Sequence, residues 1–247
     1  MALPDLSGRC AVVTGASRGL GAGIAEELAA RGLRLGLCSR SQPALSEGAS
    51  VLAERVDVRD EKALEAFAQR VAERFGGIDL WINNAGVLAP IGPVRALEVA
   101  DFREHVDINL TGAFLGTRTY LRHLRAERRA GVLINISSGA AWSAYAGWGA
   151  YCAGKAAVER LTECVALEEA EQGVRAYSVA PGVVDTDMQA LIRECTPEQF
   201  PSVERFHELK RDDGFNSPAF VARHLLEIAF DPERRPDEVA LRLPDES

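Results

Sequence analysis

Short apolar runs alternate with segments of helical periodicity along the whole chain, and this alternation restricts the folds that the chain can adopt. The runs at 9–14, 33–39 and 131–137 are apolar at most consecutive positions instead of at every second one. Strands of that kind are buried on both faces, as in a parallel sheet covered by helices on both sides. The pattern predicts an α/β protein, and the lack of a linker or repeat predicts one domain over residues 1–247.

The same patterns set the expected boundaries of the elements. We expect strands at 9–14, 33–39, 51–58, 78–83, 131–137, 174–180 and 238–243. We expect helices at 19–31, 61–75, 101–127, 150–171 and 217–230. Residues 186–213 are polar and irregular, and we expect them to form a substrate flap of short helices.

Composition excludes several classes of function. The net charge of −8 and the lack of basic clusters argue against binding to nucleic acid. No apolar run is long enough to span a membrane, and the start of the chain does not resemble a secretory leader, so we expect a cytoplasmic protein. The five cysteines form no Cys-x-x-Cys pair, and the four histidines lack metal-ligand spacing. We expect free thiols, no metal and a small-molecule partner.

A glycine-rich turn follows the first expected strand and opens the first expected helix. The turn contains Gly15, Ser17, Arg18, Gly19, Leu20 and Gly21. Glycines allow a sharp turn and a close approach of the backbone to a pyrophosphate, which the N-terminus of a helix attracts. A purely structural turn is the alternative, because the spacing differs from the common Gly-x-Gly-x-x-Gly. The position in an alternating β/α series favours a dinucleotide site.

The end of the second expected strand bears on which dinucleotide binds. An acidic residue there would bind the ribose 2′-hydroxyl of NAD, whereas this strand ends in Ser39 and is followed by Arg40. Arg40 and Arg18 would form charge-assisted hydrogen bonds with a 2′-phosphate. Two solvated surface arginines are the alternative in a chain this rich in arginine. The missing acid is the stronger argument, and we expect NADP(H) as the cofactor.

Tyr151 and Lys155 are four residues apart, on one face of an expected helix. A phenol titrates near 10, and moving its pKa to about 7 requires roughly 4 kcal/mol of phenolate stabilisation. A unit positive charge about 4 Å away supplies about that much at an effective dielectric of 20. We therefore expect Lys155 to lower the pKa of Tyr151 and make it an acid–base group. The spacing also occurs by chance and requires support from other residues.

That support comes from the strand that precedes this helix. Ser137 and Ser138 end the strand, at the sheet edge where ligands bind in open α/β folds. Ser138 would donate a hydrogen bond to a substrate carbonyl that Tyr151 protonates while a hydride arrives from a nicotinamide.

A series of motifs in this order resembles the short-chain dehydrogenase/reductase family over essentially the whole chain. The motifs are the turn at 14–21, Asp57-Val58, Asn83-Asn84-Ala85-Gly86, Asn109 in Ile-Asn-Leu, the set Ser138, Tyr151 and Lys155, and the loop from Pro181 to Thr186. The resemblance implies a Rossmann-type doubly wound parallel sheet of about seven strands, and carbonyl–alcohol redox with a nicotinamide.

The resemblance also implies a role for each matching residue. Tyr151 would be the acid–base group, Lys155 its tuner and a ribose ligand, Ser138 the carbonyl anchor, and Asn109 the holder of a water in a proton relay. On its own, Asn109 would be an ordinary helix residue. The other cofactor-binding residues that the resemblance implies are Asp57 and Val58 at the adenine, together with Asn84, Ala85, Gly86, Pro181, Gly182, Val184, Thr186 and Met188.

A narrower resemblance, around Tyr151 and at 184–189, is to sepiapterin reductases and to bacterial reductases of vicinal diketones such as benzil. Both substrate types carry adjacent carbonyls beside an aromatic or heteroaromatic body. The expected substrate-binding residues are Ser138, Tyr145, Trp148, Tyr151, Met188 and Gln189, with Trp142 and Phe206 as further apolar walls. Packing in the core or flap is the alternative for each of the apolar residues.

The C-terminal tail departs from the pterin-binding pattern. Sepiapterin reductases carry an aspartate there that binds the pterin, and the matching position here is Ala240, with Glu238 and Asp245 nearby. A missing acceptor would leave pterin donors unpaired, at a cost of about 1–3 kcal/mol. We therefore rank an NADPH-dependent reductase of a ketone or vicinal dicarbonyl first. A sepiapterin reductase comes second, and a non-catalytic NADP(H)-sensing protein comes third.

The expected helices at 101–127 and 150–171 carry apolar residues beyond one face. Among them are Leu115, Tyr120, Leu161 and Val165. In the family these two helices pair across a twofold axis, so we expect a homodimer or a tetramer. The alternative is that these side chains pack on their own sheet.

Overall fold

Seven parallel strands form one sheet in the order β3-β2-β1-β4-β5-β6-β7. They are β1 (Cys10–Thr14), β2 (Arg34–Ser39), β3 (Val51–Arg55), β4 (Leu80–Asn83), β5 (Gly131–Ile136), β6 (Val174–Ala180) and β7 (Ala240–Arg242). The structure is a computed structural model that describes residues 5–246. Residues 1–4 and Ser247 lie outside the described residues. The predictions about the start of the chain and about a domain over 1–247 fall partly on these residues.

Helices cover both faces of the sheet. They are α1 (Gly19–Ala30), α2 (Glu61–Phe75), α3 (Val99–Val106), α4 (Gly112–Glu127), α5 (Gly149–Glu169), α6 (Asp187–Arg193), α7 (Val203–Arg211) and α8 (Pro218–Phe230). Apolar side chains of α1 and α8 pack on one face, and those of α2, α4 and α5 pack on the other. The predicted fold class, a doubly wound α/β sheet, is confirmed.

The order of the strands reverses between β1 and β4. The chain runs outward from β1 through β2 to β3, and then crosses back by α2 to β4 on the other side of β1. Loops that follow β1 and β4 therefore diverge and leave a crevice at the carboxyl edge of the sheet. The crevice lies where the glycine-rich turn and the end of β4 meet.

Some elements differ from their expected form, and others agree with it. The helix expected at 101–127 is interrupted by a π-helical turn, Asp107–Thr111, between α3 and α4. Such turns recur at functional sites. The polar segment at 186–213 holds α6 and α7, the short helices that we expected there. The last strand, expected at 238–243, is shorter and comprises three residues.

The apolar residues that suggested an outward-facing surface on α4 and α5 mostly face inward. Leu115, Tyr120 and Val165 are buried in the core beneath the sheet, and Leu161 is half-buried. The expectation that these residues extend the apolar surface beyond one face was wrong for the first three. Helices that pack on a sheet and on each other bury a broad part of their surface, and the sequence pattern does not separate that case from an outward face.

Residues 5–246 show neither a membrane span nor a metal-ligating cluster. In this part of the chain, no helix is long and apolar enough to cross a membrane. No group of three or more His, Cys, Asp or Glu side chains there could hold a metal ion. All five cysteines are free thiols.

A buried polar network joins the central strands to α4 and α5. Asn83, at the end of β4, donates to Asn135 Oδ1 on β5 at 2.8 Å, and Asn135 donates to Thr162 Oγ1 on α5 at 2.8 Å. Asn83 also accepts from Trp81 Nε1 at 2.7 Å and donates to Thr117 Oγ1 on α4 at 3.2 Å. Buried polar groups are costly unless their partners are present, so this network sets the positions of α4 and α5 against the sheet.

Replacing Asn135 with alanine should lower the free energy of unfolding by about 2–4 kcal/mol. The variant removes both side-chain hydrogen bonds and leaves a hole among buried polar partners. Denaturation by urea, monitored by circular dichroism, measures the change. The control is Gln69→Ala, which removes an exposed hydrogen bond to Glu73 and should change stability by less than about 0.5 kcal/mol. Equal effects of the two substitutions would contradict the role of the network.

Candidate active site

One cavity of about 890 Å³ runs along the carboxyl edge of the sheet. It is lined by all the residues predicted to bind a cofactor or substrate, which are Gly15, Ser17, Arg18, Gly19, Leu20, Gly21, Ser39, Arg40, Asp57, Val58, Asn84, Ala85, Gly86, Ser138, Tyr145, Trp148, Tyr151, Lys155, Pro181, Gly182, Val184, Thr186, Met188 and Gln189. Trp142 and Phe206 line it as well. Asn109 does not line the cavity but contacts its wall at Val87.

The glycine-rich turn and the loop after β4 touch at the start of α1. Thr14 Oγ1 accepts from the backbone N–H groups of Asn84 and Ala85, both at 3.1 Å. Gly15 has a φ of 69°, and a Cβ there would lie 2.7 Å from Ala85 Cα, so no larger residue fits this approach. Arg18 provides no side-chain cap to α1, which leaves the first N–H groups of the helix available to an anion. These residues fit the pyrophosphate of a dinucleotide.

The two arginines expected at a 2′-phosphate differ in their surroundings. Arg40 follows β2, is exposed, and forms no ion pair with any residue from 5 to 246. Arg18 pairs with Asp187 at the start of α6, with Nη1 and Oδ2 2.9 Å apart. Both members of that pair are largely exposed, and exposed pairs contribute little stability. Arg18 can therefore exchange Asp187 for a phosphate. Arg40 would bind a phosphate without losing an ion-pair partner among residues 5–246.

Asp57 and Val58 line the cavity beyond β3, where adenine is expected. The Asp57 carboxylate pairs with Arg59 at 2.6 Å, and this hydrogen bond holds the pKa of the carboxyl below its ordinary value. A Cβ on Gly112 would lie 2.6 Å from Val58 Cγ2, so the first turn of α4 packs directly on this loop. The carboxylate is therefore charged and held in place at that end of the cavity.

Tyr151 and Lys155 lie one turn apart on α5, and both are buried. Lys155 Nζ donates to the carbonyl of Ile136 at 2.7 Å and lies 5.7 Å from the centroid of the Tyr151 ring. Burial lowers the pKa of Lys155 to about 8. Burial also raises the pKa of Tyr151, and a hydrogen bond from Ser138 acts in the opposite direction.

The pKa of Tyr151 is therefore raised overall, which is the opposite of the direction that we expected. Desolvation of the phenolate is the largest cause of this shift, and the Lys155 ammonium is bound to a backbone carbonyl. The phenol is a neutral acid at pH 7, which suits the donation of a proton.

Ser138 lies at the end of β5, beside Tyr151. Its Oγ accepts from the backbone N–H of Ala140 at 3.2 Å, which starts a short 3₁₀ turn. The hydroxyl hydrogen can be donated to Tyr151 or to a ligand in the cavity. The adjacent Ser137 Oγ is buried and has no hydrogen-bond partner within residues 5–246. The end of β5 thus offers hydroxyl groups to the cavity.

Asn109 lies in the π-helical turn, and its carboxamide holds the loop after β4. Oδ1 accepts from the backbone N–H of Val87 at 2.8 Å, and Nδ2 donates to the carbonyl of Val87 at 2.7 Å. Nδ2 is also 2.8 Å from Nε2 of His105. These contacts occupy the carboxamide in bracing the loop, and the predicted binding of a water by Asn109 stays a prediction.

His105 is a buried residue of the site that the sequence analysis did not single out. A signal was present, since His105 precedes Asn109 by four residues and such pairs share one face of a helix. Its burial and its contact with Tyr151 come from the packing of α3 on α5.

Trp148 is both a wall of the cavity and part of the core beneath the flap. Its ring meets Tyr151 edge to face, with centroids 5.8 Å apart, and stacks on Phe200 at 4.4 Å. Tyr145 and Phe206 pack around it at 5.0 and 5.5 Å. Trp148 is only 5% exposed and also lines the cavity. Both alternatives that we considered for it, a cavity wall and core packing, are therefore correct.

Apolar side chains at this end of the cavity are accompanied by a few polar groups. Trp148 Nε1 and Gln189 Oε1 are buried, and neither has a hydrogen-bond partner in the described part of the chain. Arg205, on α7, donates to the hydroxyl of Tyr145 at 3.4 Å. The arrangement suits a largely apolar ligand with a few polar atoms.

Comparisons with known proteins identify a family for this chain. The family model described as short chain dehydrogenase matches residues 9–196. A benzil reductase ((S)-benzoin forming) of Bacillus cereus is 37% identical over 241 residues, which cover 91% of this chain and 96% of that protein. A protein of the same name from Bacillus subtilis (strain 168) is 32% identical over 224 residues, covering 88% of this chain and 91% of the relative.

Solved structures show the same fold. The crystal structure of the KRED1-Pglu enzyme superposes with a TM-score of 0.85 at 32% identity, and the match covers 95% of this chain and all of that one. The family match spans most of the chain, and the nearly full-length relatives carry the names of reductases. The chain therefore belongs to the short-chain dehydrogenase/reductase family and is an oxidoreductase of CH–OH and C=O groups that uses a nicotinamide cofactor.

Proposed function

We propose that this protein is an NADPH-dependent carbonyl reductase that acts on ketones and vicinal dicarbonyl compounds such as benzil. The observation that carries the proposal is the placement of Ser138, Tyr151 and Lys155 in one cavity with the glycine-rich turn. The apolar end of that cavity suits the aryl groups of benzil. The names of the two Bacillus relatives support this substrate class.

The chain's own residues supply the proton chemistry of the proposed reaction. When bound, a nicotinamide supplies the hydride for carbonyl reduction. The Ser138 hydroxyl donates a hydrogen bond to the substrate carbonyl oxygen, and the neutral phenol of Tyr151 gives its proton to that oxygen. The buried ammonium of Lys155 lies near the phenolate that remains and stabilises it. The aromatic side chains around Trp148 exclude water from the reacting carbonyl.

The preference for NADPH over NADH rests on the end of β2. The strand ends in Ser39 without a carboxylate that would bind a ribose 2′-hydroxyl. Arg40 lines the cavity at that point and is free to bind a 2′-phosphate through charge-assisted hydrogen bonds.

We rank sepiapterin reductase activity second, because the C-terminal tail does not bring a carboxylate to the cavity. Neither Glu238 nor Asp245 lines the cavity, whereas Arg242 does. The acidic residues among the lining side chains are Asp57 and Asp187, which are paired with arginines. A pterin would therefore lack a carboxylate partner for its amino-pyrimidine donors.

We also propose that the protein is a cytoplasmic homodimer or tetramer assembled through α4 and α5. Phe114 on α4 and Leu167 on α5 expose apolar surface, Leu167 being 83% exposed. Burial of such side chains against a second copy would be favourable. The free cysteines fit a reducing compartment.

Purified protein should oxidise NADPH faster with benzil than with sepiapterin. Benzil needs only apolar walls and a carbonyl anchor, whereas sepiapterin brings donors that the cavity does not pair. Absorbance at 340 nm measures both rates. Tyr151→Phe should abolish turnover of both and keep NADPH binding, since it removes one proton and little volume. Faster turnover of sepiapterin, or retained turnover in Tyr151→Phe, would contradict the proposal.

Replacing Arg40 with aspartate should reverse the cofactor preference towards NADH. The carboxylate repels a 2′-phosphate and accepts a hydrogen bond from a 2′-hydroxyl. The ratio of kcat/KM for NADPH to that for NADH measures the change, and we expect it to fall by about a hundredfold or more, the equivalent of two charge-assisted hydrogen bonds. Arg55→Asp is the matched control, because Arg55 is exposed at the end of β3 and does not line the cavity. An unchanged ratio in Arg40→Asp would disprove the role.

The kcat/KM for NADPH should fall as the pH rises through about 8. Burial lowers the pKa of Lys155 to about 8, so above that pH the side chain loses its charge. The pKa of Tyr151 is raised, so its phenol stays protonated there and does not produce this loss. The pH profile of kcat/KM reports groups of the free enzyme. In Lys155→Arg the charge persists at all these pH values, and the fall should be absent. A fall at the same pH in that variant would assign it to another group.

A further inference from the structure

His105 is a buried histidine that no step of the proposed reaction uses. It is 1% exposed, and its ring meets that of Tyr151 edge to face, with centroids 6.2 Å apart and planes at 79°. Gly154 provides room for the ring, since a Cβ at that position would lie 3.2 Å from Nε2. The imidazole therefore packs directly on the part of α5 that carries Tyr151 and Lys155.

The hydrogen bonds of the ring determine its tautomer. Nδ1 lies 2.7 Å from the carbonyl oxygen of Ala89, which can only accept, so Nδ1 carries the proton. Nε2 is then an acceptor, and Asn109 Nδ2 donates to it at 2.8 Å. Val87 fixes the orientation of the carboxamide, because its N–H must meet Oδ1 and its carbonyl must meet Nδ2. The set is complete only when His105 is neutral.

The loop that His105 contacts through Asn109 lines the cavity, whereas His105 itself does not. Gly86 and Val87 line the cavity, and neither His105 nor Asn109 does. A Cβ on Gly86 would lie 3.8 Å from Lys155 Nζ, so this loop faces the ammonium directly. Any displacement of the loop or of α5 would change the distance between the phenol and a bound substrate.

We propose that neutral His105 is a positioning residue for proton transfer from Tyr151, because it ties the loop after β4, through Asn109, to the helix that carries Tyr151 and Lys155. The inference rests on the proposed carbonyl reduction, which provides its kinetic readout. His105 acts through other residues and does not contact substrate.

Protonation of His105 would dismantle this arrangement. A charged imidazole carries N–H groups on both nitrogens, so Nε2 could no longer accept the hydrogen bond from Asn109 Nδ2. It would also place a second positive charge beside Lys155. The titratable side chains that face the ring are Lys155 and Tyr151, both on α5.

The pKa of His105 is held below its ordinary value of 6.5, first by burial and then by the charge of Lys155. Hydrogen bonds that the protonated ring donates to the backbone carbonyls of Ala89 and Ala150 act in the opposite direction. The neutral form therefore persists at neutral pH, and the arrangement is lost as the pH falls below about 6.5 towards the lowered pKa.

The test is the pH dependence of kcat for benzil reduction between pH 5 and 8, in the wild-type protein and three variants. His105→Gln keeps a donor and an acceptor and does not titrate. It should retain kcat at pH 7.5 within about threefold, less than the loss of one net hydrogen bond, and should lack the fall at acid pH. His105→Leu loses both groups, and its kcat should be about tenfold lower, the equivalent of one net hydrogen bond. The KM for benzil should stay within about twofold, because uniform binding is untouched.

His123→Gln is the matched control. His123 lies on α4, its pKa is also lowered by burial, and its Nε2 accepts from the backbone N–H of Ile78 at 3.3 Å. It does not line the catalytic cavity. The fall at acid pH should persist unchanged in this variant. Thermal melting of each variant shows whether it is folded.

Two kinetic results would overturn the inference while leaving the proposed function intact. One is a fall at acid pH in His105→Gln that matches the wild-type protein, and the other is wild-type kcat in His105→Leu. A wild-type protein that fails to reduce benzil would instead refute the proposed substrate. In that event ¹⁵N shifts of the histidine ring decide the matter, and a charged ring or an Nε2–H tautomer at pH 7 would disprove the assignment.

Discussion

The positions of Tyr151 and Lys155 depend on a buried hydrogen-bond network at the centre of the sheet. Asn83 and Asn135 link β4 to β5, and Thr162 links β5 to α5. Apolar packing alone would hold α5 near the sheet but would leave its rotation and axial position loosely set. A network of directional bonds, each costly to break when buried, selects one arrangement. This network therefore sets the positions of the phenol and the ammonium on α5.

Local patterns predicted most of the fold. The strands and helices can be predicted because apolar runs and helical periodicity are properties of short segments. The glycine-rich turn can be predicted because the residues that would approach a pyrophosphate are nearly consecutive in the sequence. The inward packing of Tyr120 was not readable, because it depends on which neighbours cover α4. The π-helical turn that interrupts the expected long helix likewise has no signal in the periodicity.

The candidate site divides in the same way. Spacing placed Tyr151 and Lys155 on one face of a helix, but spacing holds no information about how deeply the two groups are buried. Burial raises the pKa of Tyr151, against the expected direction, because the loss of water disfavours the charged phenolate. His105 was missed for the same reason, because its partners Ala89 and Asn109 are assembled by tertiary packing.

The double use of Trp148 limits how the range of substrates can change. Its ring forms the face of the cavity next to Tyr151, and it also stacks on Phe200 beneath the flap. A smaller residue would enlarge the cavity and at the same time loosen the packing of the flap. Met188 and Arg205 line the same end while being more accessible. We therefore expect the range of substrates to change, in nature or by engineering, through substitutions at positions such as these two. The indole of Trp148 would be kept as the wall between the cavity and the core.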